Sequence, residues 1–278
     1  MASASASARR PALPGIGRLA RLRSANERLF YGVLGFLLVI VIWELAADLG
    51  LYRRSLLSSP SGIWTAAVQD VGSGEIWPHL RTSLIEYAYG FVAALVIGIP
   101  LGLAIGMFRR VDHFLSLLLF GIYSTPKAAI APLIILVAGI GLESKVILVF
   151  LLAFFSVIVS TMAGVHAVAE RHRDLARSFG ASRWLEFRSV VLPTTFPFLL
   201  TGIRIASGRA LVGVVVAEEL AANEGIGYYI EFWGTFLNTS RVMLGVVILG
   251  LFGIVLGELV RRLEKRFEVW RPELHHGS

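Results

Sequence analysis

Long apolar runs separated by short polar ones set the frame of this chain. The first, Leu29 to Ala47, is nineteen residues long, and at about 1.5 Å per helical residue it reaches roughly 28 Å, enough to cross a bilayer core. It exceeds the apolar region of a signal peptide and runs into Asp48 rather than a small-residue cleavage site, so it reads as an uncleaved first span. Further spans are predicted over Leu84–Met107, Phe114–Ile140, Val146–Val165, from Pro193 to about Ala217, and over Met243–Val260. Pro126 and Pro132 should kink the third, because each removes a helical donor. The fold expected is all-α, with six transmembrane helices in a domain over residues 29–260. Residues 1–28 form a basic, partly disordered tail before it, and 261–278 a second tail after it.

Two polar stretches belong outside. Residues 49–82 contain Pro60, Gly72-Ser73-Gly74 and Trp77-Pro78, and predict a short interfacial helix over Pro60–Val71. Residues 218–240 hold Glu218, Glu219, Glu224 and Glu231, with Gly225 and Gly227 permitting a tight re-entrant turn.

The third polar stretch, Asp174–Pro193 within a loop spanning 168–193, differs in kind. With Arg171, Arg173, Arg177, Arg183 and Arg188 it is too charged for lipid. Leu175 and Phe179, four residues apart, share one helical face, with Arg173 and Arg177 on another. Gly180 should end that helix. Ser182 caps a second one carrying Trp184, Leu185, Phe187 and Val191, and Pro193 follows. On periodicity alone this could also be an amphipathic helix lying on the membrane surface.

Charge then fixes sidedness. Of 26 lysines and arginines, eighteen fall in the N-terminal tail, residues 108–113, the 168–193 loop and the C-terminal tail, while five (Arg53, Arg54, Arg81, Lys145 and Arg241) fall on the other side. The positive-inside bias therefore puts both termini in the cytoplasm.

Composition adds exclusions. With 56% hydrophobic and 16% charged residues, and a mean hydropathy of +0.72, the chain has too little polar surface for a soluble globule. Its net charge of +7 is spread between apolar runs, not gathered with aromatics into a nucleic-acid surface. No cysteine is present, which excludes disulfides and thiolate chemistry. No G-x-x-x-x-G-K-[ST] loop occurs, so there is no phosphate cradle of that type.

Within the spans, Gly90, Ala94, Gly98, Gly102 and Gly106 repeat every four residues on one face, a groove for close helix packing. It serves either the chain's own packing or a seam between two copies. Lys127 lies near the middle of the third span, where a lysine costs about 2.5–3.5 kcal/mol unless it meets water or a partner. It either lines a path for an anion, or snorkels or pairs with Glu86. Arg204 and Arg209 lie within the fifth span, one facing a path and the other an anchor, or each paired with a carboxylate such as Glu218 or Glu219. The histidines His79, His113, His166 and His172 sit at or beyond span ends, as solvated or interfacial groups.

The spacing of Asp174, Leu175, Ala176, Gly180, Val190, Leu192 and Pro193 resembles the EAA loop of ABC-transporter permeases, with Asp in place of the usual Glu and Leu175 where a small residue is usual. SSPSGIW at 58–64, HLRTSL at 79–84, TPKAAIAPLIILVAGIGLESK at 125–145 and AEELAANEGIGYYI at 217–230 resemble the subfamily that imports nitrate, sulfonates and taurine. In the third of these, Val137-Ala138 replaces a usual aromatic-containing pair.

The resemblance covers roughly residues 30–271 and implies a type I importer permease. This would be a non-catalytic inner-membrane subunit with no cofactor of its own, ATP and magnesium being held by a cytoplasmic ATPase dimer. An extracytoplasmic solute-binding protein, a second permease copy and the lipid bilayer are the other implied partners. It further implies that Asp174, Leu175, Ala176, Arg177, Ser178, Phe179, Gly180, Ala181, Ser182, Arg183 and Trp184 form the coupling helix against the ATPase. Lys127, Arg204, Arg209 and Glu218 are the candidates for the translocation path of a small anion.

Two other classes compete. A secondary transporter working without an ATPase would need inverted repeats and several carboxylates inside spans, where Glu86 alone is expected. An intramembrane hydrolase would need a nucleophile, base or metal set within spans, which the sequence does not offer.

Overall fold

The computed structural model describes residues 16–53 and 56–267. The expected tails lie outside the described residues up to residue 15 and beyond residue 267. The first helix, α1 (Ile16–Asp48), begins well before Leu29. The part of it that is long and apolar enough to cross a membrane is Phe30–Asp48. Helical hydrogen bonding continues upstream through Arg-, Leu- and Ala-rich sequence with no proline to stop it. The chain divides into two compact units, one ending at Gly62 and the other starting at Ile63. Within the first, the segment after α1 folds back on it. Trp43 Nε1 donates to the Ser58 carbonyl at 2.9 Å, and the Glu44 carboxylate accepts from Ser61 N at 2.8 Å and Ser61 Oγ at 2.6 Å. Ser61 is the second residue of α2 (Pro60–Ser73), so Glu44 caps that helix.

The second unit contains α3 (Ile76–Met107), α4 (Arg109–Ser124), α5 (Ala131–Ala138), α6 (Leu142–His166), α7 (Glu170–Ser178), α8 (Arg183–Glu186), α9 (Leu192–Ala221), α10 (Ile226–Thr235) and α11 (Thr239–Phe267). Among the described residues there is no strand. Five stretches are long and apolar enough to cross a membrane: 30–48, 76–107, 142–166, 183–221 and 239–262. The expected third span is different. Instead of one kinked helix, α4 meets a short 3-10 turn (Lys127–Ile130) and α5 at an 80° bend, and a sixth span exists only if that pair counts as one. The residue before a proline is driven out of the helical region, and Thr125 is extended, with φ −70° and ψ 135°. Pro132 falls in the first turn of α5, where no donor is needed, and kinks nothing.

α6 is the central element. Half of its most apolar window is buried, against 11% for α11. The stripe of small residues on α3 is the reason. Cβ atoms built on Gly90, Gly102 and Gly106 would lie 2.6, 2.7 and 2.8 Å from Val149, Thr161 and Val165 of α6. Ala94 and Ala153, both fully buried, complete the ladder. The groove is filled by this chain's own helix, so the within-chain alternative holds for it. α9 packs on α6 as closely, with Gly213 against the Val149 backbone and Gly202 against Ser160. Val149 is therefore held between two glycines.

Candidate functional site

Residues 170–193 form the expected helix, turn and second helix. α7 ends at a turn where Gly180 has φ +77°, a region that disfavours other residues. Ser182 then caps α8, its hydroxyl accepting from Leu185 N at 3.3 Å. Between α8 and α9, Phe187–Val191 form a π-helix. Pro193 would press its ring on the carbonyl four residues back, and the wider π turn accommodates it. One continuous helical rod thus runs from Arg183 to Ala221.

The elbow is braced from both sides. Arg177 of α7 donates to the Glu186 carboxylate of α8 at 3.0 and 3.2 Å. Arg173 donates to the Val165 carbonyl at the end of α6, at 3.1 Å, which also suits the negative end of the helix dipole. Neither contact is legible in the sequence, although an acid nine residues beyond an arginine across a glycine turn was a usable hint. Asp174, Ser178 and Arg183 are solvent-exposed, and Ala176 and Ala181 are half-buried. The apolar side chains point outward: Phe179 is 83% exposed and Trp184 68%, with Leu175 and Leu185 also exposed. Apolar groups held out on a rigid, arginine-rich bracket make a surface built to be covered.

The path candidates separate into different environments. Lys127 is buried and donates to the carbonyls of Ile122, Tyr123 and Thr125 at 2.9, 2.8 and 3.3 Å, closing the end of α4. It neither snorkels nor pairs with Glu86. Arg209 donates to Tyr123 Oη at 2.9 Å, its guanidinium 4.7 Å from the same ring, and Lys127 Nζ lies 5.4 Å from that ring. Two cations thus converge on Tyr123, and no carboxylate is paired with either among the described residues. Tyr123 carries no motif in the sequence, and its partner Arg209 is 86 positions away. Arg204 is exposed elsewhere on α9.

Glu218 belongs to neither the expected loop nor an open path. It lies in α9 and is fully buried. Its carboxylate accepts from Ser83 Oγ at 2.6 Å and Gly227 N at 2.7 Å, while Ser83 Oγ accepts from Ile226 N at 2.8 Å and His79 Nδ1 from Gly225 N at 3.1 Å. These groups satisfy the first amides of α10, where a carboxylate also suits the helix dipole. His79 is accordingly a structural acceptor, not a solvated group. One turn along α3 from Ser83, Glu86 is bound by Lys145 at 2.6 Å, both buried. Lys145 therefore leaves the outside tally. His166 also finds a partner, Asp112, at 3.3 Å.

A second buried cluster was not anticipated. Asp70 of α2 accepts from the Tyr229 hydroxyl and, at 2.9 Å, from Arg241, whose guanidinium lies 3.9 Å from the Trp233 ring. Burial, helped by the Asp70 carboxylate, raises the Tyr229 hydroxyl well above the usual tyrosine range and keeps it a donor. Among the described residues no group of three or more His, Cys, Asp or Glu could hold a metal.

Comparison with known proteins places this architecture among transport permeases. Residues 94–269 match the family described as binding-protein-dependent transport system inner membrane component. The aliphatic sulfonates transport permease protein SsuC of Bacillus subtilis is 32% identical over 233 residues, 84% of each chain. The taurine transport system permease protein TauC of Escherichia coli is 32% identical over 256 residues, 90% of this chain and 92% of its own. The formylaminopyrimidine transport permease protein ThiX of Halalkalibacterium halodurans is 33% identical over 238 residues, covering 86% and 94%. A solved chain of the MetNI methionine ABC transporter in an inward-facing conformation superposes with a TM-score of 0.59 at 17% identity, covering 72% of this chain and 99% of that one.

Proposed function

Because the chain belongs to the binding-protein-dependent transport inner-membrane component family, and is thus an ABC-transporter permease and not a secondary transporter, we propose that it imports a small sulfonate-type anion. A solute-binding protein delivers the anion from outside, and an ATPase dimer bound to the 170–186 elbow supplies the energy. Two permease copies form the pathway, in the bacterial inner membrane with all termini in the cytoplasm. This chain holds no cofactor; ATP and magnesium belong to the ATPase.

The observation that carries this reading is the elbow itself. Leu175, Phe179, Trp184 and Leu185 are presented outward on two short helices. The Arg177–Glu186 bridge ties α7 to α8, and α8 runs without a break into α9. A pull on α8 reaches the far end of α9 as movement of a rod. Closure of the ATPase dimer would draw the two elbows together and tilt α9, switching access from one side to the other.

The anion preference rests on Lys127 and Arg209. Two adjacent cations without a carboxylate are costly in a membrane interior unless a mobile anion or water meets them. The sulfonate and taurine relatives favour a sulfonate as that anion. Glu218, committed to α10, supports the turn near the outer mouth instead of contacting solute.

The test is ATP hydrolysis and uptake of labelled taurine and alkanesulfonates by the reconstituted complex. Gly180→Val, strained by about 1–3 kcal/mol at positive φ, and Asp174→Lys should abolish binding-protein-stimulated hydrolysis while membrane insertion stays normal. Normal stimulation in both variants would sink the coupling assignment.

A further inference from the structure

Beneath the body, between the α3–α4 corner and the elbow, lies a cavity of 760 Å³. Five arginines line it, Arg109 and Arg110 from α4 and Arg173, Arg177 and Arg183 from the elbow, against one carboxylate, Glu186. Glu186 is already occupied by Arg177, and Arg173 is spent in part on the Val165 carbonyl. Asp174 reaches Arg177 at 3.9 Å from outside the wall, and the lining still carries more guanidinium groups than carboxylates. Arg173 Nε is buried and meets no acceptor. The start of α4 borders the same space with no side-chain cap, its dipole offset in part by Asp112 in the first turn.

We infer that this cavity is a binding site for the phosphate of an anionic phospholipid headgroup, which bridges the α3–α4 corner to the coupling elbow. Phosphate chemistry fits because planar guanidinium groups converging from two elements bind its oxygens in pairs. A lipid source fits because the cavity sits where apolar helices end. Met107 closes the 76–107 span, and Val191, another wall residue, lies next to the start of α9. Phe108 on the wall is 57% exposed, and α4 leads away from it with Phe114 and Leu117 both more than 80% exposed, a surface suited to acyl chains. Occupation would fix the elbow's angle to the body, so membrane charge would tune how readily the ATPase moves it.

Lipid binding at this cavity is separable from transport and is measured without it. The full chain, purified in detergent, is titrated with dioleoylphosphatidylglycerol and with dioleoylphosphatidylcholine, and retained lipid is counted by native mass spectrometry. The wild type should prefer the anionic lipid. Arg109→Gln/Arg110→Gln should lower that preference by about tenfold or more, while Arg261→Gln/Arg262→Gln, at the end of α11, should leave it unchanged. Inorganic pyrophosphate added as competitor should displace the anionic lipid in the wild type only. Pyrophosphate binding without lipid retention would keep the phosphate site and reassign its source to the cytosol. Equal retention of both lipids, or equal losses in the two double variants, would overturn the site. So would unchanged lipid retention in Arg109→Gln/Arg110→Gln together with loss of the co-purifying ATPase, which would mean that protein fills the cavity.

Discussion

Lys145 of α6 and Glu86 of α3 form a buried ion pair. An ion pair taken out of water is weak support for stability as a pair, yet breaking it leaves a lone charge that costs about 3–5 kcal/mol. With both residues buried and Nζ 2.6 Å from Oε1, Glu86→Gln and Lys145→Met should each lower the thermal midpoint of the detergent-solubilised protein sharply. The double variant should recover most of the loss. Additive losses would mean that the two charges do not depend on each other. Neither residue identified the other in the sequence, because the partners are 59 positions apart and only the α3–α6 packing brings them together. The same holds for Asp70 and Arg241, 171 positions apart.

For α3, the decisive feature is the face on which its small residues repeat. The period of four was plain in the sequence, but what fills the groove is a property of tertiary packing. Because Thr161 lies 2.7 Å from a Cβ built on Gly102, Gly102→Leu should overpack the α3–α6 contact, at a cost of about 1–3 kcal/mol or more. It should give an aggregated or poorly folded chain in fluorescence-detected size exclusion. Gly35→Leu on α1, with nothing within 4 Å, should run as the wild type. If Gly102→Leu gave a well-folded monomer that had merely lost its partner copy, the groove would be a dimer seam after all. The elbow is the converse case: its Gly turn, Ser182 cap and second helix follow from local rules, and the structure reproduces them. The bracing of that elbow by Glu186 and by the α6 carbonyl does not follow from local rules, since it depends on how α7 and α8 fold over each other.

Across the whole molecule, sidedness is the property that the function depends on most. A chain without cysteine is a clean host for single-cysteine labelling. Ser178→Cys on the exposed elbow should react with a membrane-impermeant maleimide only in inside-out vesicles. Ser73→Cys, at the exposed end of α2, should react only in right-side-out ones. Labelling of both from the same side would overturn the topology and with it the ATPase contact.

The sequence by itself determined the class of molecule and the helix, glycine turn and helix of its polar 170–193 loop. Apolar length sets which helices can cross a bilayer, arginine excess sets the expected side, and glycine, serine and proline spacing sets the elbow, all of them local quantities. Only the tertiary structure decided that α3's stripe belongs to α6, that Lys127 closes a helix end beside Arg209, that the third span breaks at Thr125, and that Glu218 serves α10. Each of these depends on which distant groups share a low-dielectric interior, where an unmet charge or donor is too costly to leave alone, and one-dimensional order does not encode that proximity.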